Sequence, residues 1–464
     1  MSEAAVRKGR VGMDLTEGPV LKKLLTFAIP IMLASLVQQL YGMVDLAIIG
    51  HYVGCAGTSG VSNGGEFIDL LTPLATAFAT AGQIYIGQLV GAKEHEKIKK
   101  GIYTLFAFML IMAMICLVIA VGGFRFVLNL LNCPEEAFKQ ASDYMIITAF
   151  GLPFIFGYNA ICGVLRGVGE ARRPLIFVVV AAIVNIFADI FFVAVLHMEA
   201  AGTAIATVLS QIGSCVAAAI FMVRKREAFD LKLRITEFKL DGESLKIILK
   251  LGVPIFVKTT LIHIAMIWVN AHVNMYGIVG SSTNAIGNKL QKFVNMFTIS
   301  MDSACASVIA QNLGAKKHER CKKVVYVTLG FCLCVSTVFA LLSFFFPRAL
   351  YGIFTKDPAV LEMGVDYLKI MIVFYYLSAI AGAFQSMITG AGFASLTFII
   401  GIMDGIIARI GFSALFAYVF NMGIYGFFWG TALSRTIGCT ISIVYFYSGK
   451  WKTRKLLAEG GRRF

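Results

Sequence analysis

Charged residues are scarce in this sequence of 464 residues, of which only 14% are Asp, Glu, Lys or Arg. Soluble domains carry about 25% charged residues, so a mainly wetted surface is excluded. The 6 histidines show no metal-ligand spacing, and the 10 cysteines form no Cys-x-x-Cys motif. A nucleophile elbow and a His-Glu-x-x-His motif are also absent. These absences argue against an enzyme and predict no metal or organic cofactor.

Long apolar runs dominate instead, with 58% hydrophobic residues and a mean hydropathy of +0.80. A helix of about 20 apolar residues crosses the hydrocarbon core of a bilayer. The first run is too long, and too interrupted by Pro30, for a cleaved secretory signal. The sequence therefore predicts an all-α integral membrane protein with twelve spanning helices at 24–50, 63–90, 101–123, 139–162, 173–196, 200–223, 247–276, 284–312, 324–346, 362–388, 395–419 and 424–447.

The formal net charge of +15 is a topology signal. Most Lys and Arg residues fall in the two tails and in the connections on one side of the predicted membrane, and the opposite loops carry few. This positive-inside pattern predicts that both termini are cytoplasmic, in a multi-pass protein of a bacterial inner membrane. Because membrane topology explains the excess of positive charge, we expect no nucleic-acid partner.

The chain repeats itself at an offset of 223 or 224 residues. Gly87–His95 matches Ala310–His318, and the Gly-x-Gly motif at 167–169 matches that at 390–392. Each unit holds six spans, so the repeats run in parallel, as in transporters that move two bundles about a central site. Nothing demands more than a monomer. The predicted organisation is a tail 1–23, a lobe 24–223, a linker 224–246, a second lobe 247–447 and a tail 448–464.

Ionisable residues inside spans are expensive and therefore indicate function. Asp45 in span one, Asn185 and Asp189 in span five and Thr207 in span six fall at one depth of the first lobe. Two carboxylates with amide and hydroxyl oxygens suit Na⁺, and two neighbouring buried carboxylates can equally hold a proton. Gln38 and Tyr41 continue the face of Asp45. The alternative is a set of structural polar pairs between helices.

The second lobe lacks this set but carries its own intramembrane charges. Lys258 and Asp302 share one depth, and so do Asp404 and Arg435. Opposite charges at equal depth predict structural ion pairs. The alternative for Lys258 is a role in an inner gate. Pro30 and Pro254, at matching points of the two lobes, are candidate hinges because proline frees a backbone carbonyl.

One charge pattern crosses the repeat. Glu66 and Asp69 at the outer start of span two map onto Lys289 and Lys292 of span eight. Both pairs have i, i+3 spacing, so each lies on one helix face. The pattern predicts an extracellular latch, and exposed helix-end charges are the equal alternative.

Several of these segments together resemble the multidrug and toxic compound extrusion (MATE) family. They are the span from Pro30 to Asp45, the loop Leu165–Pro174 and the Asn185-x-x-x-Asp189 span, within a resemblance that covers residues 15–450. The resemblance implies two six-helix lobes in a V and an exporter of organic, often cationic, compounds coupled to inward Na⁺ or H⁺. It also implies the predicted cation ligands and a neighbouring substrate cavity lined by Gln38, Tyr41, Tyr144 and Asn159.

The resemblance leaves one alternative transport function open, and the sequence differs from the pattern of the family at one point. The alternative is a lipid-linked oligosaccharide flippase of the same superfamily, against which the count of twelve spans argues. The difference concerns spans seven and ten, where another branch of the family carries acidic cation ligands. Here these spans offer Lys258, His263 and Asn270 and no mid-span carboxylate, so a second cation site is not expected.

Overall fold

The computed structural model describes residues 11–53, 55–130, 135–229, 231, 239–454 and 456–457, without the side chains of 46, 47, 55–59, 63, 67, 69, 70 and 130. Helices make up almost all of this part of the chain. They are α1 Val20–Tyr52, α2 Cys55–Ala92, α3 His95–Leu130, α4 Glu135–Ala149, α5 Leu152–Gly167, α6 Arg172–Asp189, α7 Glu199–Arg224, α8 Gly242–Asn274, α9 Gly277–Gly314, α10 His318–Phe345, α11 Pro347–Gly352, α12 Pro358–Gly390, α13 Ala394–Ile402, α14 Phe412–Ala414, α15 Ile424–Leu433 and α16 Thr436–Ser448. The segments Ile190–Val195, Met403–Gly411 and Leu415–Val419 are π-helical.

Within the described residues, 9 unbroken helices are long and apolar enough to cross a membrane, and two bent pairs raise the number to 11. One bent pair is Gly60–Glu66 with Leu71–Ala92, and the other is α4 with α5, bent by 46°. Proline near the start of α5 suits this bend, because its missing N–H is not needed in a first helical turn. The run 424–447, predicted as one span, is instead the two shorter helices α15 and α16.

Side chains at the helix starts satisfy backbone groups that the helices leave free. Asp241 precedes α8 and accepts a hydrogen bond from the Ser244 N–H at 2.9 Å. Asp357 precedes α12 and accepts one from the Ala359 N–H, also at 2.9 Å. Caps of this kind stabilise a helix by about 1 kcal/mol, so they fix where these spans begin.

The predicted repeat is confirmed in the backbone. Residues with positive φ recur at the repeat offset: Lys93 with Lys316, Gly169 with Gly392, and His197 with Asn421. The close approaches of helices recur as well, since a Cβ on Gly167 would collide with the Gln83 carbonyl and one on Gly390 with the Ala306 carbonyl. Glycine at these matched points lets the helix backbones touch in both halves.

The described part of the chain forms two compact units, of which the first comprises 11–14 with Ile29–Gly252, and the second comprises Leu15–Ala28 with the described residues of 253–457. The start of α1 thus belongs to the second unit and the start of α8 to the first. The points at which the chain passes from one unit to the other lie within two residues of Pro30, inside α1, and of Pro254, inside α8. Their role as hinges stays a prediction.

The tails contribute to the second unit. Leu15 is fully buried, its N–H donates to Gln311 Oε1 at 3.3 Å, and its carbonyl accepts from Asn312 Nδ2 at 3.1 Å. At the other end Trp451 is also buried, and its indole N–H donates to the Phe446 carbonyl at 3.0 Å. Both predicted tails therefore contain packed segments.

Candidate functional site

Asp45 and Asp189 are brought together by the packing of α1 against the end of α6, within the first unit. About one turn beyond each carboxylate, Ile49 and Val193 belong to one buried apolar cluster. Residues four apart lie on nearly the same helix face, so the carboxylates occupy the layer before that cluster.

An amide and two hydroxyls share this layer. Asp45 faces both Asp189 and Asn185, and Asp189 faces Thr203 of α7. The side chains of Asn185 and Asp189 are fully buried, at 0% exposure. Thr207 is half-buried and lies one turn further along the Thr203 face of α7. The structure therefore brings the predicted carboxylates and amide together, with Thr207 on the adjoining helix face.

Among the residues that the structure describes, most polar atoms of this group have no hydrogen-bond partner outside the group. They are Asp45 Oδ1, both carboxyl oxygens of Asp189, both side-chain polar atoms of Asn185 and the hydroxyls of Thr203 and Thr207. Leaving a buried polar atom unsatisfied costs about 1–3 kcal/mol. Oxygen ligands of this kind suit a hard cation, and a proton shared by the carboxylates would relieve their repulsion.

The winding of α6 changes directly after Asp189. Residues Ile190–Val195 form a π-helix, and the Leu196 N–H donates to the Phe191 carbonyl, five residues back, at 3.0 Å. Short π-helical segments inside α-helices frequently occur at functional sites. Asp189 therefore lies at a point of irregular winding, where side-chain direction departs from the α-helical period.

Sequence reasoning misses Thr203, although one signal for it is present. Thr203 precedes Thr207 by four residues, so both hydroxyls project from one face of α7. Thr203 is also nearly fully buried, at 1% exposure. Two hydroxyls of α7, rather than the one predicted, therefore lie on the helix face that adjoins the carboxylates.

Residues 30–191 and 254–419 match the family model MatE, and together these ranges cover more than half of the chain. The chain belongs to the MatE family. The two matched ranges repeat the two-unit organisation, and the resemblance seen in the sequence is confirmed. MatE proteins are multidrug efflux transporters with multiple membrane-spanning helices.

Bacterial relatives of this MatE chain carry names of the same kind. The probable multidrug resistance protein YpnP of Bacillus subtilis is 26% identical, over 96% of this chain and 99% of the relative. The multidrug export protein MepA of Staphylococcus aureus is 23% identical, over 93% of this chain and 94% of the relative. These relatives are named as transporters, not as enzymes.

Solved MATE structures share the fold. An outward-facing multidrug resistance MATE transporter of the MOP superfamily matches with a TM-score of 0.89 at 20% identity, over 96% of this chain and 99% of that chain. A MOP superfamily transporter from Pyrococcus furiosus, described as having a binding pocket of reversed polarity, matches at 0.89 and 20% identity over 95% and 98%. The predicted all-α membrane fold is therefore confirmed.

The predicted cavity residues of this MatE chain have different surroundings. Gln38 is exposed and Tyr41 is half-buried on α1. Tyr144 packs against the apolar cluster that contains Ile49 and Val193, next to the carboxylate layer. Asn159 donates its side-chain amide to the Ile155 carbonyl of its own helix at 2.9 Å. The packing of Tyr144 against this cluster ties it to the candidate site.

The predicted latch concerns residues of both units. Glu66 on α2 is exposed in the first unit, and Lys289 and Lys292 on α9 are exposed in the second. The side chain of Asp69 lies outside the described residues. The latch therefore stays a prediction.

The second unit contains a buried charge network in place of a carboxylate–amide site. Asp404 lies 4.0 Å from Arg435, which confirms their predicted pairing. Lys258 donates a hydrogen bond of 2.6 Å to Gln385 Oε1, and no ion pair joins it to Asp302 among the described residues. Both Asp302 and Asp404 remain within electrostatic reach of Lys258.

Arg409 is a further member of this network that sequence reasoning misses. Its side chain is 4% exposed and donates to Ser434 Oγ at 3.1 Å. The signal was its position in the middle of an apolar run, where a cation is costly. The network thus combines three cationic side chains, Lys258, Arg409 and Arg435, with the two carboxylates of Asp302 and Asp404.

Proposed function

We propose that this chain is an antiporter of the bacterial inner membrane, with both termini cytoplasmic. It exports small organic compounds, often cationic or amphipathic, and takes up Na⁺ or H⁺ in exchange. The coupling cation binds at the carboxylate layer of the first unit. A monomer suffices for this activity, since both carboxylates belong to one chain.

The observation that carries this proposal is the convergence of unsatisfied oxygens. Asp45, Asn185, Asp189, Thr203 and Thr207 come from three helices that are long and apolar enough to span a membrane. Among the described residues, their buried polar atoms have no hydrogen-bond partner outside this group. Apolar surroundings make uncompensated charge expensive, so such a layer favours the uptake of a positive ion.

Coupling follows if the two ligands prefer different arrangements of the transporter. A cation or proton neutralises one negative charge between Asp45 and Asp189, and the released state leaves two carboxylates in repulsion. A cationic substrate is attracted by the same negative charge. Exchange requires only that each ligand bind the two states of the transporter unequally.

The charge network of the second unit supports coupling at one site. Its cationic side chains outnumber its carboxylates by three to two. A further cation placed there would meet a net positive field, whereas the first-unit layer offers two carboxylates. We therefore assign the coupling ion to the first unit.

The test is export of a fluorescent organic cation from vesicles that contain the purified protein, under separately imposed Na⁺ and pH gradients. Asp45→Asn and Asp189→Asn should each abolish gradient-driven export, whichever ion drives it. Glu362→Gln removes an exposed carboxylate of α12 and is the matched control, with export retained. Export that persists in both aspartate variants would rule out this coupling site.

The flippase alternative has no comparable support. The family match is MatE, and the relatives are named as multidrug export proteins. No observation on the described residues favours a lipid-linked oligosaccharide as the substrate.

A further inference from the structure

A cleft of about 530 Å³ lies in the second unit, between the segment before α1 and the first turns of α10. This volume falls within the range of small-molecule binding sites, about 300–1,000 Å³. None of its lining residues belongs to the carboxylate layer or to the buried charge network. They are Gly18, Pro19, Val20, Glu319, Arg320, Lys323, Tyr326 and Val327.

Hydrogen bonds fix one wall of this basic cleft. Arg320 donates to the Gly18 carbonyl at 2.6 Å and to the Glu17 carbonyl at 3.1 Å. Because the acceptors are neutral carbonyl groups, the guanidinium keeps its full positive charge. The segment before α1 and the start of α10 are therefore held together around a cation.

The only carboxylate of the lining is compensated by residues outside it. Glu319 lies 3.0 Å from the Lys322 ammonium and 3.5 Å from the Lys452 ammonium. Lys323 is exposed and makes no hydrogen bond or ion pair with the residues that the structure describes. The mouth of the basic cleft thus carries positive charge without a partner on the described part of the chain.

The remaining lining is apolar and continuous with two spanning helices. Val20 is the first residue of α1, and Val327 lies in the third turn of α10, both of which are long and apolar enough to cross a membrane. Tyr326, at 46% exposure, adds an amphipathic ring of the type that collects at membrane interfaces. The positive-inside pattern predicts that these helix ends lie on the cytoplasmic side.

An occupant must combine negative charge with an apolar extension along the helices. A free phosphate satisfies only the cationic mouth, and an organic cation is repelled by it. Basic residues at the cytoplasmic ends of spanning helices recognise anionic lipid headgroups. We propose that the basic cleft binds the headgroup of an anionic phospholipid, with Lys323 and Arg320 at the phosphate and an acyl chain along Val20 and Val327.

The test uses the full-length protein in a neutral detergent, titrated with phosphatidylglycerol or with phosphatidylcholine. Phosphatidylglycerol should raise the thermal unfolding midpoint, because a ligand that binds the folded state stabilises it, and phosphatidylcholine should not. Lys323→Ala should weaken phosphatidylglycerol binding about fivefold, the effect of one basic residue near an anionic lipid surface. The control Lys225→Ala removes an exposed lysine that follows α7 and should leave binding unchanged.

A second variant separates lipid from free phosphate. Val327→Trp fills the apolar side without changing any charge, so it should weaken phosphatidylglycerol binding and leave the charged mouth intact. Phosphatidylglycerol affinity that is unchanged in Lys323→Ala would overturn the site. Equal stabilisation by inorganic phosphate alone would identify a free-anion site and overturn the assignment to a lipid.

Discussion

The backbone N–H of Gly438 donates a hydrogen bond of 2.8 Å to Oδ1 of Asp404, inside the second unit. This contact joins α16 to the π-helical segment Met403–Gly411 across 34 positions of sequence. A Cβ at position 438 would collide with the carboxyl group. Glycine therefore lets the backbone of α16 reach a carboxylate that also pairs with Arg435.

Gly438→Ala should destabilise the protein, because the added methyl group must push the Asp404 carboxyl away from its N–H donor. Overpacking of this kind costs about 1–3 kcal/mol. The measurement is the thermal unfolding midpoint of the purified variant in detergent. Gly330→Ala on α10 is the control, since a Cβ there meets nothing within 4 Å and should leave stability equal or slightly higher. Equal midpoints for the two variants would contradict the prediction.

Removing different members of the buried charge network should have unequal effects. Asp404→Asn leaves three cationic side chains with the single carboxylate of Asp302, and breaking a buried pair in this way costs about 3–5 kcal/mol. Arg409→Met leaves two cations with two carboxylates and loses mainly the bond to Ser434, at about 1 kcal/mol. The measurement is the thermal unfolding midpoint of both variants. A larger drop of this midpoint in Arg409→Met than in Asp404→Asn would show that the charge balance does not control the stability of the network.

Thr203→Val keeps the shape of the side chain and removes the hydroxyl that faces Asp189. If this oxygen helps to hold the coupling cation, the apparent affinity for that cation in transport should fall about tenfold, the equivalent of one lost hydrogen bond to a charged group. Thr440→Val on α16 removes an exposed hydroxyl that bonds only to its own helix, and it should transport as the wild type does. An unchanged cation affinity in Thr203→Val would exclude Thr203 from the site.

The cap of α8 should give a pH-dependent contribution to stability. The Ser244 backbone N–H holds the pKa of the Asp241 carboxyl below its usual value. A lowered folded-state pKa stabilises the protein above the unfolded value of about 4, and this contribution is lost as the pH falls through the folded value.

Asp241→Asn keeps a capping side chain but removes this charge. At about pH 6 the free energy of unfolding of the wild type should therefore exceed that of the variant by about 0.5 kcal/mol, because the negative charge lies at the helix N-terminus. At about pH 3 the difference should be smaller. Thermal unfolding at the two pH values measures the gap. A gap that widens on acidification would have the wrong sign.

Helical periodicity was enough to find part of the candidate site. Asn185 and Asp189 share a face because they are four residues apart, and the depth of Asp45 follows from counting residues to the end of its span. Periodicity does not say which face of one helix meets which face of another. That is why Thr203, whose hydroxyl is oriented by the packing of α7 on α6, was missed.

The same limit explains the second unit. Equal depth identified Asp404 and Arg435 as partners, and their pairing is present. Equal depth also paired Lys258 with Asp302, yet the Lys258 ammonium donates to Gln385, a neutral residue on α12. The depth of a residue gives its position along the membrane normal only. A hydrogen bond also depends on where the two groups lie in the membrane plane and on how they are oriented.

The sequence by itself determined that the chain is a twofold-repeated helical membrane transporter, because hydropathy, basic loops and the offset of 223 or 224 are properties of residue order. Only the tertiary structure decided which polar atoms meet inside the units, where α6 changes to a π-helix, and that α15 and α16 divide the last predicted span. These features depend on contacts between segments far apart in the chain, and local sequence patterns do not specify which of these contacts form.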